Sequence, residues 1–181
     1  MQLDIKINKA VSHSLGNAVL FVVLCALLVN SHGRYACAAE PAGMTEYRVV
    51  AGLLYNFTLF VSWPKTPVND AAQPFNICVA DMSELGDAFD VLSGKRVNGR
   101  PIVLRGLRDQ RHAPGECQIV FLNTDDKNRI REILAGSVGK GVLAVGQTDG
   151  FTELGGVINI VRMGAKFGLE INVPAAKRAG L

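Results

Sequence analysis

The chain has 181 residues, of which 49% are hydrophobic and 19% are charged, and its formal net charge is +3. This length suits a single domain with a core of its own. The basic residues are scattered, without a basic stripe or interleaved aromatic residues, so the sequence predicts no contact with nucleic acid.

The first 39 residues are typical of a secretory signal peptide. Lys6 and Lys9 precede an apolar run over residues 18–29, and small residues follow at 36–39. About twelve apolar residues are fewer than the roughly 20 that span a bilayer, so the pattern favours a signal peptide over a membrane anchor. Removal of the signal peptide leaves 16 basic and 15 acidic residues. The basic charge of the whole chain is therefore no evidence for an anionic partner. We expect a signal peptide over 1–39 and one domain over 40–181.

Two of the four cysteines, Cys25 and Cys37, lie in the expected signal peptide, which leaves Cys78 and Cys117. Two cysteines in an exported protein usually form a disulfide. The loop that they would close spans 39 residues, for which chain entropy predicts a stabilisation of about 4 kcal/mol. Two buried free thiols are the alternative.

Residues 44–62 predict a helix that ends at Trp63-Pro64. It carries an apolar stripe at helical spacing, formed by Val50, Leu53, Leu54, Phe57, Phe60 and Val61. Leu59 and two further apolar residues lie outside the stripe. A helix with this apolar excess is either enclosed in a core or docked on another chain. We therefore take Phe57, Leu59 and Trp63 as candidates for a dimer or partner surface, with ordinary core packing as the alternative.

Strand and helix patterns alternate through the middle of the chain. The predicted strands are 75–80, 101–105, 117–122 and 142–145. The predicted helices are 83–93, capped by Ser83, 125–135, capped by Thr124, and a terminal helix beginning at Pro174. This alternation predicts an α/β fold, in which a mostly parallel twisted sheet is flanked by helices.

The last clear pattern, over residues 155–173, predicts an antiparallel hairpin at the edge of this sheet. Gly164-Ala165 suits a type II′ turn, since only glycine takes a positive φ there at little cost. In this register Ile158 faces Ile171, and Ile160 faces Leu169. The opposite face carries Asn159, Glu170 and Asn172. We expect the apolar face to be covered mainly by helix 44–62 and the parallel strands, and take Glu170 as a weaker contact candidate or a solvated position on an edge strand.

The residues after position 39 offer little catalytic chemistry. They include one histidine, His112, in a loop flanked by proline and glycine. No cluster has the spacing of a zinc site, and no phosphate-binding glycine loop occurs. The Asp125-Asp126 pair fits acidic residues in the first turn of a helix. The sequence therefore predicts no catalytic residue, metal ligand or cofactor, and a protein that is not an enzyme.

Three ordered segments together resemble the YfiR family of periplasmic regulators. The segments are Tyr47–Phe57 with Phe60–Pro64, then Ile77–Val79 through Gly94–Val103 to Cys117–Phe121, and finally Gly150-Phe151, Gly155–Asn159, Leu169–Asn172 and Ala175–Leu181. The resemblance implies a periplasmic α/β homodimer without catalytic activity. It also implies binding to the periplasmic sensor region of an inner-membrane diguanylate cyclase, which is thereby inhibited. Cyclic-di-GMP and biofilm formation would then stay low.

The resemblance further implies that an outer-membrane, peptidoglycan-associated lipoprotein can sequester the regulator. Cys78 and Cys117 match one structural disulfide of the type system. A second cysteine pair of that system has no counterpart in residues 150–154, so a switch built on two disulfides is not expected here. Family members usually continue beyond the position of Leu181, so we expect either that the last packing element of the family is missing or that the chain is truncated.

A small-molecule-binding domain of the periplasm is the competing interpretation of the same pattern. Open α/β sheets bind ligands outside the carboxyl ends of their strands. A hydrolase lacks a credible pair of nucleophile and base in this sequence.

Overall fold

A computed structural model describes residues 42–64, 70, 72–107 and 114–181. The expected signal peptide over 1–39 and His112 lie outside the described residues. A single domain over 40–181 stays a prediction.

The described residues form one mixed sheet of seven strands, in the order β2-β3-β1-β4-β5-β6-β7. The strands are β1 (Phe75–Val79), β2 (Arg96–Val97), β3 (Arg100–Gly106), β4 (Ile119–Leu122), β5 (Leu143–Gly146), β6 (Ile158–Met163) and β7 (Lys166–Ile171). The neighbours from β3 to β6 are parallel, and β2 and β7 are antiparallel strands at the two edges. The α/β prediction with a hairpin at the edge is therefore confirmed. The central strands β1, β4 and β5 are buried throughout, as expected for parallel strands covered on both faces.

One face of the sheet is covered by helix α1 (Ala42–Phe60), which packs against a 3-10 helix over Ala88–Leu92. Phe89 of the 3-10 helix stacks on Phe121 of β4, with 6.0 Å between the ring centroids. The strand register places Val145 on the same face as Phe121. This face therefore holds the stacked rings of Phe89 and Phe121.

The opposite face is covered by helices α2 (Lys127–Ser137) and α3 (Val173–Ala179). Leu134 of α2, Ala175 of α3 and Ala144 of β5 line one small shared cavity, which places both helices over the same part of the sheet. The prediction of helices on both faces is confirmed.

The hairpin of β6 and β7 has the predicted register, with Ile158 opposite Ile171 and Ile160 opposite Leu169. Gly164 has φ 62°, whereas among the described non-glycine residues only Asn98 has a positive φ. This is the pattern of a type II′ turn.

The burial of the hairpin differs from the prediction. Ile160 of β6 is 1% exposed, whereas Leu169 and Ile171 of the partner strand β7 are 43% and 60% exposed. On the face predicted to be polar and solvated, Asn159 is buried. The reason is strand order, because β6 lies inside the sheet with cover on both faces, whereas β7 lies beyond the helix layer. The expected cover over the apolar face of the hairpin therefore stops at β6.

A second hairpin, between β2 and β3, was not predicted. Val97 pairs with Arg100, and the connecting Asn98 and Gly99 have φ angles of 50° and 82°. Two positive φ angles define a type I′ turn, for which Asn-Gly is the strongest sequence signal. The dipeptide was available in the sequence, so this strand could have been found.

Two predicted helix caps were wrong. Residues 83–93 do not form an α-helix, and Ser83 donates from its backbone nitrogen and its hydroxyl to Asp81 instead of capping a helix. Helix α2 is capped by Asp126, whose carboxylate accepts hydrogen bonds from the backbone N–H groups of residues 128 and 129. Thr124 instead accepts a hydrogen bond from the backbone of Asp126, at 3.3 Å. At both sites an aspartate, rather than the predicted residue, accepts hydrogen bonds from the backbone N–H groups that follow it.

Candidate functional site

The strand order produces a crevice at the carboxyl ends of β1 and β4. The chain runs from β1 outwards to β3 and then returns to β4 on the other side of β1. Open α/β sheets bind ligands at such a switch point. Here the crevice is a cavity of about 400 Å³, lined by Glu46, Tyr47, Asp81, Glu84, Asn123, Thr124, Asp125, Gln147 and Thr148. We call it the switch-point cleft.

Asn123 forms the floor of the switch-point cleft and is buried. Its side-chain oxygen accepts from the backbone N–H of Asp81 at 2.9 Å, and its amide nitrogen donates to the Asp81 carbonyl at 2.7 Å. The same nitrogen lies 3.4 Å from the Glu84 carboxylate. One side chain after β4 thus fixes the backbone that follows β1.

Tyr47 of helix α1 forms one wall of the cleft. Its hydroxyl donates to the Glu84 carboxylate at 3.0 Å. Burial, and then the hydrogen bond to Glu84, raise the pKa of the Tyr47 phenol to about 12. The hydroxyl therefore stays protonated at neutral pH and serves as a hydrogen-bond donor.

Asp81 and Glu46 carry negative charge at the rim. The hydrogen bonds from Ser83 hold the pKa of the Asp81 carboxyl below its ordinary value of 3.8. Glu46 is paired with Arg162 of β6 and also accepts from Gln147 at 3.2 Å. The described residues that line the cleft include four carboxylates and no lysine, arginine or histidine. The arrangement can recognise a polar molecule through hydrogen bonds and opposite charge.

Two of the predicted contact residues, Leu59 and Trp63, line one groove at the carboxyl end of α1. Trp63 donates from its indole nitrogen to the Gln118 carbonyl at 3.1 Å, and its ring meets Phe75 edge-on with 5.1 Å between centroids. Leu59 is 60% exposed. We call Leu59 and the adjacent Phe60 the α1 tip.

Phe57 and Glu170 lie elsewhere. Phe57 is buried in the core, so it adds nothing to the surface that α1 presents. Glu170 lies on β7 at one edge of the sheet, where its carboxylate accepts from the Asn159 side chain at 3.0 Å. The structure therefore brings Leu59 and Trp63 together and separates them from Glu170.

Phe60 is the surface residue that the sequence analysis missed. Its helical spacing assigned it to the buried stripe, yet its side chain is 84% exposed. Helix α1 ends at this residue, so the stripe continues past the part of the helix that packs on the sheet. Phe60 directly follows Leu59 and lies four residues before a proline. This arrangement was the signal in the sequence that two large apolar residues lie at the end of a helix.

Cys78 of β1 and Cys117 form a disulfide, as predicted. Both residues are buried. Cys117 precedes β4, the neighbour of β1 in the sheet, so the bond links two adjacent segments of the sheet. The alternative of two free thiols is excluded in this structure.

The fold and its surfaces define an α/β domain with a disulfide-linked sheet and a polar cleft at its switch point. The chain belongs to the YfiR/HmsC-like family, whose sequence model matches residues 47–181. This is a family of periplasmic regulators, so the membership supports a regulatory rather than a catalytic role. None of the curated proteins compared with the chain matches it. Within the described ranges, no helix is long and apolar enough to cross a membrane.

Proposed function

We propose that the protein is a non-enzymatic periplasmic regulator that binds the sensor region of an inner-membrane diguanylate cyclase and holds the cyclase inactive. The family match over residues 47–181 is the observation that carries the proposal. Lower cyclase activity lowers cyclic-di-GMP and with it biofilm formation. The expected signal peptide would deliver the protein to the compartment that contains the sensor region.

The α1 tip supports a mechanism based on protein contact. Leu59 and Phe60 expose two large apolar side chains next to each other at a helix end. Exposed apolar and aromatic side chains supply much of the binding energy at protein interfaces when a partner removes them from water. We therefore assign the α1 tip to the contact with the sensor region.

Inhibition follows from a difference in affinity for two states of the cyclase. A regulator that binds the inactive state more tightly shifts the population towards that state by the ratio of the two affinities. A tenfold reduction in active cyclase requires a preference of at least about tenfold, or about 1.4 kcal/mol. No chemical step is needed.

The test is deletion of the gene followed by complementation. We expect deletion to raise cyclic-di-GMP, and the unchanged gene to lower it again. A Leu59→Ser/Phe60→Ser variant should fail to restore the low level and should not recover the cyclase from solubilised membranes. Val138→Ser is the matched control, because Val138 is also exposed but lies after helix α2, outside the α1 tip.

Two results would contradict this proposal. One is unchanged cyclic-di-GMP after deletion in a strain that expresses the gene. The other is recovery of no membrane cyclase by the unchanged protein. If the α1-tip variant binds the cyclase like the control, the contact lies on another surface.

The proposal includes two further contacts, with a second copy of the chain and with an outer-membrane, peptidoglycan-associated lipoprotein. The homodimer would present two α1 tips at once. The lipoprotein would compete with the cyclase and release it from inhibition. Recovery of such a lipoprotein from the outer-membrane fraction, in competition with the sensor region, tests the second contact.

The switch-point cleft favours a second candidate function, recognition of a small polar molecule. Its volume of about 400 Å³ falls in the range of ligand sites. Apart from Glu46, which is paired with Arg162, its carboxylates favour a ligand with positive charge. A thermal shift with basic amino acids and amines tests this function, with Tyr47→Phe and Asn123→Ala as variants that should reduce the shift. A ligand-dependent shift without recovery of any protein partner would favour this function over cyclase binding.

A further inference from the structure

Strand β7 ends the sheet, and its outer edge has no partner among the described residues. The pair Met163 and Lys166 closes the two-residue turn, so these residues exchange backbone hydrogen bonds. The bonded positions then alternate along β7. The N–H and C=O groups of Phe167, Leu169 and Ile171 therefore point away from β6.

This edge lacks most of the features that usually prevent a strand from pairing with another chain. Such features include proline, a bulge, a very short strand, inward-pointing charge and charged side chains on the edge. Of these β7 has the charges of Lys166 and Glu170, which oppose pairing with an arbitrary strand but suit a partner with the opposite charges. Strand β7 has six residues, no proline and an unbroken register with β6. Leu169 and Ile171 expose apolar side chains along the same strand. An edge of this kind is a ready template for strand pairing.

The sequence of β7 is complementary to itself when it is reversed. It reads Lys166, Phe167, Gly168, Leu169, Glu170, with opposite charges placed symmetrically about the glycine. In an antiparallel pair centred on Gly168, Lys166 of each copy lies opposite Glu170 of the other. Phe167 lies opposite Leu169, and both have outward-pointing backbone groups that can exchange hydrogen bonds.

We propose that the protein forms a two-fold symmetric dimer in which the β7 strands of two copies pair antiparallel about Gly168 and join their sheets. This inference rests on the homodimer proposed above and names its interface. The two-fold axis makes each contact occur twice, as in other isologous interfaces. The charged pairs lie on one face of the joined sheet and the apolar pairs on the other.

The charges also favour this register over two alternatives. A pair centred on Glu170 would place the two glutamates opposite each other, and a parallel in-register pair would oppose lysine to lysine. Like charges directly opposite each other destabilise a strand pair. Glu170 is held in place by the Asn159 side chain, which contacts one carboxylate oxygen and leaves the other for Lys166 of the second copy.

The test is sedimentation equilibrium of the purified protein over a range of concentrations. Lys166→Glu and Glu170→Lys each turn both opposite-charge pairs into like-charge pairs, so each variant should dimerise about tenfold more weakly. An equimolar mixture of the two variants restores both opposite-charge pairs and should dimerise like the unchanged protein. Lys177→Glu is the control, because Lys177 is an exposed lysine on helix α3.

Restoration by mixing supports this interface, because misfolded variants would not recover on mixing. A dimer that both variants leave unchanged overturns the interface while the homodimer itself stands. A protein that stays monomeric at every concentration overturns both. Either result is independent of cyclase binding, which is measured separately by recovery from membranes. Loss of cyclase recovery in the β7 variants of a monomeric protein would assign the edge to that partner and overturn the inference.

Discussion

Tyr47 is the residue whose chemistry the fold changes most clearly. Its phenol is partly buried in the wall of the switch-point cleft and donates to Glu84. Burial and the neighbouring carboxylate both oppose ionisation, which would place a second negative charge beside the first. The Tyr47 hydroxyl stays protonated, so its hydrogen bond to Glu84 links helix α1 to the segment that follows β1.

Because Tyr47 keeps its proton in the folded protein, we expect the free energy of unfolding to depend on pH in the alkaline range. The pKa of Tyr47 is about 12 in the folded protein and has an ordinary value of 10.0. Between these pH values the unfolded chain loses a proton that the folded protein keeps, so the contribution is complete below pH 10 and is lost as the pH rises to about 12. We expect Tyr47→Phe to flatten this decline in the free energy of unfolding.

Denaturant unfolding at a series of pH values between 10 and 12 measures the effect, with Tyr55→Phe as the control. Tyr55 lies on the same helix, and its ring faces Lys95 rather than a carboxylate. A Tyr47→Phe variant that keeps the pH dependence of the unchanged protein would show that the raised pKa does not govern stability in this range.

Two adjacent aspartates, Asp125 and Asp126, precede helix α2 and have different roles. Asp126 accepts from the backbone N–H groups of Asn128 and Arg129, at 3.0 and 3.1 Å. Asp125 lines the switch-point cleft. Charge alone does not distinguish a capping position from its neighbour, so the sequence predicted two equivalent acids in the first turn.

We expect Asp126→Ala to reduce the free energy of unfolding by about 1 kcal/mol, the usual cost of losing an N-cap side chain. Asp125→Ala should change it by less than about 0.5 kcal/mol, as for other surface substitutions. Guanidinium unfolding of both variants at neutral pH compares the two. Equal losses would mean that the interaction with the helix dipole, rather than the capping hydrogen bonds, stabilises this end of α2.

Considered as a whole, the molecule depends on a bond that connects two neighbouring strands of its sheet. Cys78 lies in β1, and Cys117 precedes β4 by two residues. The loop between them contains the 3-10 helix and the hairpin of β2 and β3. The disulfide therefore closes this segment into a loop in the unfolded chain. In the folded sheet the two ends of the segment lie next to each other.

Removal of this bond should lower the free energy of unfolding by about 4 kcal/mol, since the closed loop spans 39 residues. This is a large part of a typical stability of about 5–15 kcal/mol. Unfolding of a Cys78→Ala/Cys117→Ala variant in guanidinium measures the loss, and the unchanged protein under reducing conditions is the comparison. Labelling of both thiols in native, oxidised protein would contradict the bond itself.

The sequence by itself determined the features that depend on residues close together in the chain. Alternation of apolar and polar residues around Gly164 specified the register of the last hairpin, because a slip by one residue would reverse the faces of both strands. Helical spacing located α1 and α2, and export with two remaining cysteines indicated the disulfide. The cap at Ser83 was wrong because residues 83–93 form turns and a 3-10 helix instead of an α-helix, and the Ser83 hydroxyl donates to Asp81.

Only the tertiary structure decided which surfaces stay open, because this depends on pairing between segments that are distant in the sequence. Strand order placed β1 between β3 and β4 and so created the switch-point cleft. It also placed β7 beyond the helix layer, which exposes Leu169 and Ile171 although their pattern is that of a buried face. Phe60 is exposed for the same reason, because its burial would depend on a segment that is distant in the sequence. An apolar pattern shows that a residue can be buried, but it does not show whether a neighbour is present to bury it.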